Sequence, residues 1–213
     1  MLQGIIFCHG HKHKPYLDRL PYYIPAGINW TLVDINEEAE PNIVADYRKV
    51  EETITRLGND RYNYVIDMGC PMIAIRELFN TAHSLLKSSL NEGKGGKFLI
   101  LSGIKKILSA YSFKYYHHLN NIEKTVTGDL IDVLTEIGAI PTFDQLSQLI
   151  NATEFIRYNR IMINKYEDRD PLLLELLTYT ISKLTSFGNF KSWLIPYDSP
   201  NSQQLSTDII FTK

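Results

Sequence analysis

The sequence predicts an α/β protein with a central, mostly parallel sheet of about seven strands. Short apolar runs rich in Ile, Val and Phe, typical of buried strands, alternate with longer segments whose apolar residues recur at helical spacing. Several of these runs end on an aspartate. Strands joined through helices pair in parallel, because a right-handed crossover returns the chain in the same direction. The 213 residues suit a single domain, spanning 1–213, with a full hydrophobic core.

The first half of the chain contains five predicted strands and two predicted helices. The strands are 2–8, 29–34, 42–46, 62–67 and 97–102. Val50, Ile54 and Leu57 have helical spacing, and Gly58 is expected to end that helix. A second helical stripe follows Pro71, which suits the first turn of a helix because its missing N–H needs no partner there.

The second half predicts further helices and the strands that complete the sheet. The predicted segments are helices over 130–137, 143–151 and 172–187, and strands over 154–166, 191–196 and 208–212. The last two strands are expected to form a closing hairpin. Helices between most of the strands predict that both faces of the sheet are covered. The expected architecture is therefore a three-layer, Rossmann-like sandwich.

Composition and cysteine content predict a cytoplasmic protein. The chain is 44% hydrophobic and 22% charged, which is typical of a soluble globular protein. No apolar run approaches the ~18 residues of a membrane span, and the short apolar N-terminal stretch is followed by charge. We therefore expect no membrane contact and no signal peptide. Cys8 and Cys70 are the only cysteines. They could be neighbours if the first and fourth strands are adjacent, but we interpret them as small buried hydrophobes without a disulfide.

The charges are unevenly distributed along the chain. Between Lys87 and Lys124 there are seven lysines against two acids, Glu92 and Glu123. A basic stretch of this kind can bind the phosphates of nucleic acid, so nucleic acid is the partner that the stretch predicts. A solvated helix face is the other interpretation of the same lysines.

Three motifs in the first half carry a resemblance to a known family. "WTLVDI" ends a predicted strand on Asp34 and Ile35, "NIVADY" ends another on Asp46 and Tyr47, and "EGKGGKFLILS" places glycines before the fifth strand. Over about residues 2–166 their order resembles the class I S-adenosylmethionine-dependent methyltransferases. The resemblance implies that Asp34 accepts hydrogen bonds from both ribose hydroxyls, a task that suits an acceptor-only carboxylate. It also implies that Asp46 reaches the adenine amino group and that Tyr47 lies against the base.

The loop after the first strand, "FCHGHKHKP", departs from this family. The family usually has several glycines there, which let the backbone approach the methionine end of the cofactor. Here the loop has Gly10 between His9 and His11, and the resemblance implies that these residues cover that end of the cofactor. Asp67 and Met68 end the fourth strand, where many members of the family have a polar catalytic residue. The resemblance implies S-adenosylmethionine as cofactor and methyl transfer as reaction, and it assigns no catalytic residue.

Other interpretations of the histidine loop predict different functions. Alternating histidines could face a metal, but no second group with ligand spacing accompanies them, and Lys12 and Lys14 would repel a cation. We therefore expect no metal site. The sequence contains no Gly-x-Ser-x-Gly elbow, Gly-x-Gly-x-x-Gly fingerprint or Walker loop. Two alternatives to a methyltransferase remain open. One is a catalytically inactive accessory or structural protein with this fold, and the other is an enzyme that binds nucleotide or phosphate through the loop.

Overall fold

A computed structural model describes the chain in several ranges. They are residues 1–8, 20–21, 23–68, 74–89, 95–101, 103, 106–107, 133–138, 171–194 and 208–213. Some predicted features lie outside these residues. They are the histidine loop from His9 to Lys14, the helix over 143–151, the strand over 154–166 and most of the Lys87–Lys124 stretch.

The described elements follow one another as strand and helix along the first half, as predicted. In chain order they are β1 (Gln3–Phe7), β2 (Asn29–Asp34), a 3-10 helix (Glu37–Ala39), β3 (Ile43–Val44), α1 (Val50–Leu57), β4 (Tyr64–Asp67), α2 (Ile75–Leu85), β5 (Lys97–Ile100), α3 (Pro171–Phe187), β6 (Ser192–Leu194) and β7 (Ile209–Thr212). Residues 133–136, within the predicted helix over 130–137, are also helical. The observed strands are equal to or shorter than the predicted ones.

The seven strands form one sheet in the order β3-β2-β1-β4-β5-β7-β6. The first five pair in parallel, with Phe7 opposite Val33 on one side and Asp67 on the other. The sheet is also partly antiparallel. Because the pairs among β1 to β5 are parallel, the antiparallel pairing lies among β5, β7 and β6. The predicted α/β class with a mostly parallel seven-stranded sheet is confirmed. The last two strands, predicted as a hairpin, are neighbours in the sheet.

The central strands β1 and β4 are buried on both faces. Ile5 and Ile6 in β1, and Val65 and Ile66 in β4, are each 0% exposed, although successive side chains point to opposite faces of a sheet. A strand covered on both sides needs apolar residues at consecutive positions, and this explains why the two runs show no polar alternation. The main core of the described residues therefore lies on both faces of the sheet at β1 and β4.

Two glycines are required by the local geometry. Gly4 in β1 pairs with Trp30 and Tyr64, and the Trp30 indole fills the space that a Cβ at residue 4 would need. Gly58 ends α1 with φ of 89°, a left-handed conformation that side chains disfavour, and its N–H donates to the Ile54 carbonyl at 2.8 Å. The predicted helix end at Gly58 is confirmed.

The glycine-rich turn before β5 is shaped by the residue that follows β7. The backbone carbonyl of Lys213 occupies the space of a Cβ at Gly95. The Lys213 N–H donates to the Gly96 carbonyl at 3.0 Å, and its Nζ donates to the Leu86 carbonyl at 2.8 Å. These glycines therefore serve a close approach of two backbone segments.

The chain divides into two compact units. The first comprises Met1–Cys70, Arg76–Leu101 and Phe211–Lys213, and the second comprises Pro71–Ile75 and Ser102–Ile210. Within the second unit, the Tyr179 hydroxyl of α3 donates to the Gly138 carbonyl at 3.1 Å. The single-domain organisation stays a prediction. Of the helices within the described ranges, none combines the length and the apolar character needed to cross a membrane.

Candidate functional site

The carboxyl edge of the sheet has a topological switch point between β1 and β4. From β1 the chain continues to β2 and β3 on one side, and it later returns to place β4 and β5 on the other. The connections after β1 and β4 therefore run in opposite directions, which creates the crevice where doubly wound α/β proteins bind ligands. The Cys8 N–H donates to the Val33 carbonyl at 3.0 Å, and the Met68 N–H donates to the Phe7 carbonyl at 3.2 Å. Cys8 and Met68 thus occupy neighbouring positions at this crevice.

Asp34 ends β2 beside the crevice and is held by a local turn. Its Oδ1 accepts the Asn36 N–H at 3.0 Å, and the Asn36 side chain in turn accepts the Glu38 N–H at 3.0 Å and caps the 3-10 helix. The next residue, Ile35, is 55% exposed, which is unusual for a large apolar side chain at a sheet edge. The edge therefore presents a carboxylate and an apolar side chain at adjacent positions.

Asp46 lies two residues after β3 and forms a two-pronged ion pair with Arg48. The Arg48 Nε lies 2.8 Å from Oδ1 and 3.0 Å from Oδ2, and Nη2 lies 2.8 Å from Oδ2. The Arg48 backbone N–H also donates to Oδ1 at 3.0 Å. The side-chain hydrogen bond from Arg48 is the main reason that the pKa of Asp46 lies below its ordinary value. Asp46 is therefore an oriented, charged acceptor.

Tyr47 is a core residue. Its side chain is 7% exposed, and its ring meets the Phe7 ring edge to face with the centroids 6.1 Å apart. The Thr81 hydroxyl of α2 donates to the Tyr47 carbonyl at 3.0 Å. Burial, helped by the nearby charge of Asp67, raises the pKa of Tyr47 to about 12, so the phenol stays neutral. In the structure the Tyr47 ring packs against β1. The contact between Tyr47 and adenine stays a prediction.

Asp67 is a buried acid next to the switch point. It is 0% exposed and lies in register with Phe7 and Ile100. Its carbonyl accepts the Leu101 N–H at 3.0 Å, so the main chain of β4 continues its pairing to the end of the strand. Burial of a carboxylate is costly unless hydrogen bonds or charges compensate it. Asp67 is therefore not an ordinary surface acid, because water does not reach its side chain.

Cys8 differs from its predicted state. It is disulfide-bonded, and the sequence contains one other cysteine, Cys70, which lies outside the described residues. The expectation of two cysteines without a disulfide is thus wrong for Cys8, because β1, which Cys8 follows, pairs with β4, and an apolar setting alone does not keep a thiol free. The argument from cysteine content for a cytoplasmic location loses its support, and that location stays a prediction. Cys8 also has φ of 54°, a left-handed conformation that glycine normally adopts.

The structure brings together three of the predicted site positions. Register places Asp34, Asp67 and Met68 along the carboxyl ends of β2 and β4, on either side of the carboxyl end of β1. The predicted positions His9, Gly10 and His11 belong to the loop that follows β1 in the sequence. That loop lies outside the described residues. Asp46 lies farther out, after the edge strand β3. Sequence reasoning missed Arg48, although an opposite charge two residues after Asp46 could have indicated an ion pair.

The basic stretch is described at three of its seven lysines. Lys87, Lys97 and Lys106 lie within the described residues, and the Lys87 Nζ donates to the Asn63 Oδ1 at 3.3 Å. A nucleic-acid partner therefore stays a prediction. In the part of the chain that the structure describes, no three His, Cys, Asp or Glu side chains gather into a group that could hold a metal ion.

Comparisons with known proteins add no assignment. No protein-family model, curated protein or solved structure matches this chain. The function must therefore be argued from the residues and the geometry of the crevice.

Proposed function

We propose that this chain is an S-adenosylmethionine-dependent methyltransferase of the class I fold, with the cofactor bound at the carboxyl ends of β1, β2 and β3. The observation that carries the proposal is the position of Asp34, a carboxylate at the end of β2 beside the switch-point crevice. The cofactor supplies an electrophilic methyl group, and the residues of the chain bind and orient it.

The strand order supports this proposal. The order β3-β2-β1-β4-β5-β7-β6 is the order of the class I methyltransferase fold that the sequence resembles. The consecutive buried residues of β1 and β4 favour cover on both faces, and hence the three-layer sandwich of that fold. A protein built on a different strand order would place its switch point, and therefore its ligand, at another pair of strands.

The residues at the edge fit the parts of the cofactor in turn. Asp34 is placed to accept hydrogen bonds from the ribose hydroxyls, because the Asn36 turn orients its carboxylate. Ile35, exposed next to it, offers an apolar surface for the adenine ring. Cys8 follows β1 with φ of 54°, so the chain turns at the position where the loop that would cover the methionine end begins. These features support binding of the whole cofactor across β1 and β2.

Calorimetric titration with S-adenosylmethionine and S-adenosylhomocysteine tests the proposal. Asp34→Asn keeps an acceptor for the Asn36 N–H but loses the charge and one ribose acceptor. We expect affinity to fall about 10- to 100-fold, since a hydrogen bond to a charged group contributes roughly 1.5–3 kcal/mol. Asp60→Asn is the matched control, because it makes the same change at an exposed acid before the amino end of β4, at the edge of the sheet opposite the crevice. Its affinity should equal that of the wild type.

Three results would contradict the proposal in different ways. Absence of wild-type binding at millimolar ligand would refute cofactor binding, and nucleotides and inorganic phosphate would then test the phosphate-binding alternative. Equal binding by wild type and Asp34→Asn would place the ligand elsewhere. Binding without methyl transfer to protein, RNA or DNA substrates would favour the accessory alternative.

A further inference from the structure

One face of the sheet has a row of aromatic and basic side chains at the amino ends of its strands. Trp30 of β2, Tyr64 of β4 and Lys97 of β5 lie in one register row, with Gly4 of β1 between the two rings. Residues in register on parallel strands point to the same face, so these three side chains share it. We call them the aromatic–lysine row. Gly4 lies three residues before Phe7, so the row is about 10 Å from the crevice at the carboxyl ends.

Gly4 allows the Trp30 indole to lie over the backbone of β1. The six-membered ring of the indole fills the space that a Cβ at residue 4 would need. The ring centroids of Trp30 and Tyr64 are 6.4 Å apart and their planes are inclined at 58°. Strands about 4.8 Å apart would by themselves separate residues of β2 and β4 by roughly 10 Å. The glycine therefore brings two aromatic surfaces together into one patch.

The row is partly exposed, whereas the same face is covered farther along the strands. All three side chains of the row are half-buried. Two residues on, Ile6 and Ile66 point to the same face and are each 0% exposed. The cover on this face therefore ends before the row, and solvent reaches the rings and the ammonium group.

The polar groups of the row are available to a ligand. Within the described residues, neither the Trp30 indole N–H, the Tyr64 hydroxyl nor the Lys97 ammonium group has a hydrogen bond or an ion pair. Burial raises the pKa of Tyr64, so its phenol stays neutral and can donate. Two aromatic rings beside a cation without a counter-charge suit a ligand that has both planar rings and negative charge.

We propose that the aromatic–lysine row binds single-stranded nucleic acid, with bases stacked on Trp30 and Tyr64 and a phosphate of the same strand bound by Lys97. The inclined ring planes require bases that are splayed apart, which a single strand permits and a duplex does not. A neutral sugar can stack on an aromatic ring but leaves the lysine without an anion. The row lies at the edge of the sheet opposite the crevice, so this binding is independent of the cofactor.

Anisotropy of fluorescently labelled oligouridylate RNA and oligothymidylate DNA, titrated over a salt series, tests the proposal. Tyr64→Leu should weaken binding about 10- to 100-fold, because one stacked base is lost. Tyr179→Leu is the matched control, since Tyr179 is a 46% exposed tyrosine of α3 outside the row. Lys97→Gln should make the slope of log affinity against log salt shallower by about 0.7, the value of one phosphate contact on a single strand. Lys191→Gln, at an exposed lysine outside the row, should keep the wild-type slope.

The emission of Trp30 gives a second measurement that leaves the row unchanged. Trp193→Phe makes Trp30 the sole tryptophan, and a base stacked on it should quench its emission. This measurement remains decisive if circular dichroism shows that Tyr64→Leu is unfolded.

Four results would overturn the proposal. They are no binding of RNA or DNA at about 50 mM salt, binding that neither depends on Tyr64 nor quenches Trp30, a preference for duplex over single strands, and equal quenching by the neutral sugar cellohexaose. Titration with S-adenosylhomocysteine separates this site from the crevice, because Tyr64→Leu should bind it as the wild type does. Failure of cofactor binding would refute the proposed function and leave binding at the row intact.

Discussion

Truncation of Phe79 to alanine should be among the most damaging changes in the first compact unit. Phe79 lies on α2 and is 0% exposed. Its ring meets Phe98 of β5 at a centroid distance of 5.3 Å and an angle of 88°, and Phe211 of β7 at 5.1 Å and 68°. The other two rings are also wholly buried. The three rings therefore join a helix to two neighbouring strands.

The magnitude follows from burial and from the ring pairs. A buried Phe→Ala change typically costs about 3–5 kcal/mol, because apolar surface is lost and a cavity remains. Edge-to-face pairs add about 0.5–1.5 kcal/mol each, so we expect a loss near the upper end of that range. For a chain of this length such a loss lowers Tm by roughly 10–20 °C. Leu2→Ala is the control, since Leu2 is 38% exposed and its truncation should cost less than about 0.5 kcal/mol.

Urea unfolding followed by circular dichroism measures both variants. The slope of the free energy of unfolding against urea should stay constant, so that the midpoint reports stability alone. The packing argument is refuted if Phe79→Ala lies within about 1 kcal/mol of the wild type. It is equally refuted if Leu2→Ala loses as much stability as Phe79→Ala.

Two further predictions concern acid and thiols. Arg48 lowers the pKa of Asp46 from its ordinary 3.8. The stability that ionised Asp46 contributes is therefore complete above the pKa that Asp46 has in the unfolded chain. It is lost as pH falls through the lower pKa that Asp46 has in the folded chain. Stability should therefore fall less steeply between about pH 4 and pH 2 in Asp46→Asn than in wild type or Glu51→Gln, and equal slopes would contradict this. Cys8 is disulfide-bonded, and an intrachain bond to Cys70 closes a loop of roughly 60 residues, so Cys8→Ser should cost about 4 kcal/mol. Alkylation of the non-reduced protein, read by mass spectrometry, should label no thiol, and two labelled thiols would refute the bond.

Most of the sheet could be predicted from the sequence because its strands are locally encoded. Runs such as Leu2–Cys8 contain consecutive apolar residues, which only a strand buried on both faces requires, and the structure places β1 within that run. Gly58 marked the end of α1 correctly, since glycine has no Cβ and adopts a positive φ without steric cost. The position of Asp34 at the end of β2 followed from the same local pattern.

The state of several site residues could not be predicted in this way. Tyr47 and Ile35 are both apolar or aromatic and both follow a strand end, yet Tyr47 packs against Phe7 whereas Ile35 is 55% exposed. Arg48 was overlooked because an ion pair depends on side-chain geometry, and the sequence gives only the spacing of its charges. Whether a residue that follows a strand end is buried, like Tyr47, or exposed, like Ile35, depends on the elements that pack against it.

The sequence by itself determined the order of strands and helices and the acids at the strand ends, because these depend on residues close together in the chain. Only the tertiary structure decided which strands are neighbours, and with them the switch point between β1 and β4. It also decided that Cys8 is disulfide-bonded and that Gly95 must be a glycine, since the Lys213 backbone approaches it from the far end of the chain. Gly95 and Lys213 lie more than 100 positions apart in the chain, and local propensity contains no information about such a contact.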